Sequence, residues 1–229
     1  MNIKSLKFYI FVFLLFFLYG CGKRKTNKLA QNYYKMAVLE LQDQKTSKEY
    51  SYKKALDYID KSLEIEEKSE YIALKGTILF ELGYESFGEN LFDQALEKTD
   101  DPKLKCEILN NKACLMAQVG MYKDQGLKIG LALDIWKKLE NDKDYLTPEV
   151  SLFNQSKVFV FNNDYNNAKK KLEKAVQISP NYLDAHYYLA LVNYNLSDYV
   201  SAKNELDTVL FLYPDHKGAQ NLKRIMQKI

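Results

Sequence analysis

Glycine and proline are scarce in this chain, at 9 and 4 of 229 residues. A sequence so poor in the two residues that interrupt regular backbone is expected to be mostly helical, with short connections. Cysteine is nearly missing too: there are three, and only two histidines, His186 and His216. Cys106 and Cys114 stand eight positions apart on one predicted helix. At the helical rise their Cα atoms are about 12 Å apart, too far for a disulfide, and the spacing matches no zinc site. They read as buried structural thiols. No HExxH, GxSxG or GxxxxGKS/T string occurs, and no strand–turn–helix setting is available for a nucleotide fingerprint. No catalytic residue, metal site or cofactor is therefore expected, and the chain does not read as an enzyme. Acidic clusters such as Glu64, Glu66 and Glu67 read as the wet face of a helix.

An excess of one charge is also lacking. Lys and Arg number 33 against 30 Asp and Glu, a net +3. Without Lys4 and Lys7, which lie in a leading segment expected to be removed, the balance falls from +3 to +1. Nucleic-acid binders show a clear basic excess gathered on one face, so that class of partner is not expected. What the chain has in quantity is 18 Tyr and 12 Phe. Beside abundant lysine and asparagine, this is most simply a compositional bias of the source.

The first residues carry a pattern of their own. Lys4 and Lys7 form a positive start, and Phe8–Tyr19 follow as twelve residues without a charged or amide side chain. That run is short of the roughly 20 residues a bilayer span needs and fits the apolar stretch of an export signal. It ends Leu18-Tyr19-Gly20-Cys21. This resembles a bacterial lipobox, in which a small residue precedes a cysteine that is acylated and becomes the mature N-terminus. Leu18, Gly20 and Cys21 match; Tyr19 is bulkier than the family usually carries there. The resemblance implies a signal peptide over 1–20 and lipidation at Cys21; the alternative is that Phe8–Tyr19 stays as an uncleaved anchor. Either way the protein is held at a membrane. Residues 21–28, with Lys23, Arg24, Lys25 and Lys28, read as a basic tether that can also touch anionic head groups.

Beyond the tether the chain is self-similar. Asp164-Tyr165 recurs as Asp198-Tyr199, Ala168 as Ala202, Leu172 as Leu206 and Pro180 as Pro214, a period of 34 without a gap. This resembles the tetratricopeptide repeat, with units Glu149–Tyr182 and Leu183–His216. Each unit is then two antiparallel helices. Ala168 and Ala202 let them approach closely, Leu172 and Leu206 lie one turn later on the same face, and Pro180 and Pro214 end the second helix. Cys106–Leu139 keeps Leu109, Ala113, Gly120, Tyr122, Ile129 and Ala132 in register but departs at Gln125 and Lys137. Ser69–Pro102 keeps Gly76, Gly83, Gly88, Phe92 and Ala95. Leu29 to about Glu66 keeps Ala37, Ala55, Ile59 and Ser62.

The expectation is an all-α solenoid of about five helix pairs plus a capping helix. Its parts are divergent units over 29–139, a linker over 140–148, two clear units over 149–216 and the cap over 217–229. The insertion in Trp136–Pro148 is expected to carry a helix overrun and a hinge.

The resemblance also implies a groove lined by the first helix of each unit. Its positions fall on Phe153, Lys157 and Phe161, then Tyr187, Leu191 and Tyr194. They either anchor a peptide or helix of a partner or are covered by the cap or a neighbouring unit. The subtype that clamps C-terminal carboxylates needs lysine and asparagine at two of these positions. Phe153/Lys157 and Tyr187/Leu191 stand there instead, so clamping is not expected. His186 occupies a place where the motif puts a large packing residue, and His216 ends a repeat, where solvent is expected. The function implied is a lipid-anchored scaffold or adaptor holding another protein or peptide in a bacterial envelope, on the periplasmic side or at the cell surface. The alternative is a surface-displayed lipoprotein binding a small ligand or host molecule.

Overall fold

The computed structural model describes residues 28–42 and 47–227. Cys21, the expected export signal over 1–20 and the expected tether up to residue 27 lie outside the described residues. Among the described residues there are helices and no strands, and no helix is long and apolar enough to cross a membrane. The helices are α1 (Lys28–Gln42), α2 (Lys48–Ile65), α3 (Ser69–Glu81), α4 (Glu85–Lys98), α5 (Pro102–Tyr122), α6 (Gly126–Leu139), α7 (Pro148–Phe161), α8 (Tyr165–Ile178), α9 (Leu183–Asn195), α10 (Tyr199–Leu212) and α11 (Lys217–Met226). They follow the expected order of helix pairs and a final single helix. The chain divides into two compact units between Gln118 and Val119, inside α5.

In the first unit, α1 packs on α2 and α3 on α4. Ala37, Ala55, Ile59, Tyr71, Leu74 and Ile78 form one core, and the buried Ser62 hydroxyl donates to the Ala30 carbonyl at 2.9 Å, tying α2 to α1. The α3–α4 contact is backbone-close. A Cβ on Gly88 would stand 2.7 Å from the Gly76 oxygen and 2.8 Å from the Phe80 Cβ. Only glycine fits there, one turn ahead of the fully buried Phe92.

In the second unit, Ala168, Ala202, Leu172, Leu206, Ala175 and Val209 are fully buried, as the 34-residue register requires. Burying Leu172 and Leu206 contributes roughly 1.5–3 kcal/mol each. The Asp164 and Asp198 carboxylates cap α8 and α10 by accepting from the Asn167 and Ser201 backbone N–H groups, at 3.2 and 3.1 Å.

One turn recurs throughout. Gly83, Asp124, Asn163 and Ser197 have φ of 92°, 55°, 58° and 62°. The next residue's N–H then donates to the carbonyl five back: Tyr84 to Leu79, Gln125 to Gly120, Asp164 to Phe159, Asp198 to Asn193. This is the left-handed helix stop, and it appears whether or not the residue is glycine.

The insertion opens as a helix overrun: Trp136–Leu139 still belong to α6, which runs further past Ala132 than α8 does past Ala175. α6 stops at Leu139. Just beyond it, the Glu140 carboxylate receives the ammonium of Lys171 at 2.7 Å and the Gln155 amide at 3.3 Å. Burial works against the Glu140 charge, yet these bonds hold its carboxyl below the ordinary carboxylate range. Tyr145 is buried. The start of the segment is thus fastened to α7 and α8 through Glu140.

Candidate functional site

Tyr187, Leu191 and Tyr194 stand at i, i+4 and i+7 on α9 and so share one stripe. The structure keeps all three half-buried against a core of Ala190, Leu206, Val209, Ala219 and Leu222. The Tyr187 ring lies 4.6 Å from the His216 imidazole. His216 is not simply in solvent: its Nδ1 accepts from the Ala219 N–H at 3.0 Å and caps α11. Gly218 completes the fit, since a Cβ there would sit 2.6 Å from the Tyr187 hydroxyl oxygen. Burial accordingly raises the Tyr187 hydroxyl pKa. The start of the capping helix therefore covers one flank of Tyr187, while Tyr194 turns its ring toward Tyr199 at 5.8 Å.

The α7 residues are placed otherwise. Phe153 is core, its ring 5.1 Å from both Tyr182 and Tyr188. The Lys157 ammonium lies 4.9 Å from the Phe153 ring centre, a cation–π contact, and the residue is only 8% exposed. Phe161, at the end of α7, is 45% exposed. The six groove positions thus fall into a buried pair on α7, an exposed Phe161 and a half-open stripe on α9.

Aromatic contacts connect the buried pair to the stripe. Phe153 meets Tyr188, Tyr188 meets Tyr187 at 6.4 Å, and Tyr187 meets His216. Tyr182, Tyr188 and His216 were not singled out by the groove positions. Tyr182 and His216 are 34 residues apart, so the repeat register itself puts each at the entry to the next helix.

His186 packs inside the repeat as its position predicts, with a further role. Its Nδ1 is 2.6 Å from Glu205 Oε2 and its Nε2 is 2.9 Å from the Pro180 carbonyl oxygen. Both neighbours are acceptors, so only the doubly protonated ring satisfies both. The bond to Glu205 raises the His186 pKa, and Pro180 adds to it against the effect of burial. Cys106 is buried and Cys114 half-buried on α5.

Residues 162–225, which span α8 to α11, match the tetratricopeptide repeat family. That stretch carries the tetratricopeptide repeat pattern. A TPR repeat-containing protein of Methanocaldococcus jannaschii is 40% identical over 65 residues, which is 28% of this chain and 10% of that protein. The matched stretch is thus a tenth of the length of that relative. Among solved structures, PilW, described as a widely conserved type IV pilus biogenesis factor, is similar in fold with a TM-score of 0.61 at 16% identity. The match covers 82% of this chain and 79% of PilW. YrrB, a TPR protein with an unusual peptide-binding site, is similar with a TM-score of 0.52 at 17% identity, over 86% of this chain and 94% of its own. At such identities the likeness is one of fold.

Proposed function

We propose that this protein is a scaffold or adaptor of a bacterial envelope that holds another protein or a peptide on the α9 stripe, and that acyl chains on Cys21 tether it to a membrane. The observation that carries the reading is the stripe itself. Tyr187, Leu191 and Tyr194 present apolar surface that neither α10 nor α11 fully covers, and half-open aromatic anchors on a rigid helix suit a partner segment. Phe161, at the end of α7, is exposed as well. The peptide-binding site of YrrB and the part of PilW in type IV pilus biogenesis support the reading by analogy of fold.

The test is affinity capture from membrane fractions with the full-length chain. A Tyr194→Ala, Phe161→Ala double variant should keep its melting temperature and lose a reproducibly captured envelope partner at least about tenfold. Undiminished capture by that folded variant would move the site elsewhere. In parallel, Cys21→Ser should abolish acyl labelling and leave a heavier, unprocessed chain; normal maturation of that variant would remove the lipid anchor.

A further inference from the structure

The first helix of a repeat unit carries a face that docks on the second helix of the unit before it. Counted from the fully buried alanine of each first helix, Ala37 in α1 and Ala190 in α9, Met36 matches Leu189 and Leu39 matches Val192. On α9, Leu189 and Val192 are buried in one core with Ala168, Leu172 and Ala175 of α8. Counted likewise from Gly76 of α3, the place of Leu39 falls on Ile78, which is fully buried in the core that α3 shares with α1 and α2. No described helix stands before α1. There Leu29, Met36 and Leu39 are 52%, 40% and 64% exposed. At i, i+7 and i+10 they share one stripe.

The stripe is bordered by positive charge. Lys28 and Lys35 are exposed beside it, and Lys23, Arg24 and Lys25 come just before the helix in sequence. The one acid of α1, Glu40, is already held by Lys54 at 2.6 Å. The helix has 15 residues, about 22 Å, too short to span a bilayer but long enough to lie along one. Cys21 stands seven positions before Lys28. A chain anchored there keeps the start of α1 within roughly 25 Å of the lipid, the full reach of seven residues.

We propose that the outer stripe of α1 rests on an anionic phospholipid surface, with Leu29, Met36 and Leu39 sunk among the head groups and Lys28 and Lys35 against their phosphates. This rests on the membrane tether at Cys21 proposed above, and it adds an orientation: α1 lies along the bilayer. The stripe takes from lipid the cover that the matching face of α9 takes from α8.

The test uses the full chain extracted from membranes and reconstituted in vesicles of phosphatidylglycerol and brominated phosphatidylcholine. Bromine quenches tryptophan only at close range, and the native Trp136 is buried and supplies the background. Emission added by Leu39→Trp should be blue-shifted. Its quenching should be at least about threefold stronger than in Gln31→Trp, exposed on another face of α1, because an interfacial helix buries one face only. The difference should shrink in vesicles of neutral lipid, and an unchanged difference would strike the anionic head groups from the proposal. A chain that does not float with the vesicles removes the tether and this inference together. One that floats with positions 39 and 31 equally quenched, or both unquenched, removes this inference alone. Blue-shifted, unquenched emission from Leu39→Trp with a doubled mass in detergent solution would give the stripe to a second copy of the chain instead.

Discussion

The first and second units build the same helix pair from different residues. In the second, Ala168 and Ala202 occupy the closest helix approach; in the first, Gly88 does so against Gly76. The second unit turns through Asn163 and Ser197 at positive φ, the first through Gly83. Its acidic caps Asp164 and Asp198 correspond in the first unit to Ser47, which caps α2 through its hydroxyl, and Tyr84, which makes no side-chain cap. What the fold demands is space at one point and a left-handed residue at another; which residue supplies each is open. That is why α7–α10 align without a gap while α1–α4 look divergent.

The largest expected effect breaks this equivalence at its tightest point. Gly88→Val forces methyl groups into the Gly76 backbone and should cost about 3 kcal/mol, the upper end of overpacking, read from urea unfolding. Ala168→Leu meets side chains that can yield more than backbone and should cost about 2 kcal/mol. If Ala168→Leu is the more damaging of the two, the first unit is the looser one and the comparison is reversed.

Next come the turns. Gly83→Ala places a side chain at φ 92° and should cost about 1 kcal/mol, while Ser197→Gly should change the melting midpoint little or raise it. Equal losses from both would mean that the Ser197 hydroxyl, and not its backbone, makes the second turn.

The smallest effect is electrostatic and confined to the second unit, which holds both histidines. The His186 pKa is raised in the folded state. The stabilisation from its charged form is therefore complete below the ordinary histidine value of about 6.5 and is lost as pH rises through the higher folded value. Melting of the intact chain should weaken over that window, and Glu205→Gln should flatten the dependence. An unchanged slope in Glu205→Gln would place the titrating group elsewhere.

Much of this was legible from residues alone. Small and bulky residues at fixed spacing, prolines at helix ends and the 34-residue period describe contacts within and between adjacent helices, so Ala168, Leu172, Ala202 and Leu206 declare their burial in the sequence. The same local rule allots Phe153, Lys157, Phe161, Tyr187, Leu191 and Tyr194 to one helix face each. It could not say how open each face is. Phe153 is closed by Tyr182 and Tyr188, and Tyr187 is flanked by His216 and Gly218; those partners arrive from other turns, at distances no periodicity encodes.

The sequence by itself thus determined the helices, their pairing and the register, because each depends on neighbours within about one repeat. Tertiary structure alone decided three further things. It bound Glu140, just past α6, to Lys171 and Gln155, and it covered one flank of Tyr187 with the start of α11. It also left the outer stripe of α1 bare, because the cover of a docking face comes from a neighbouring helix, and no described helix stands before α1.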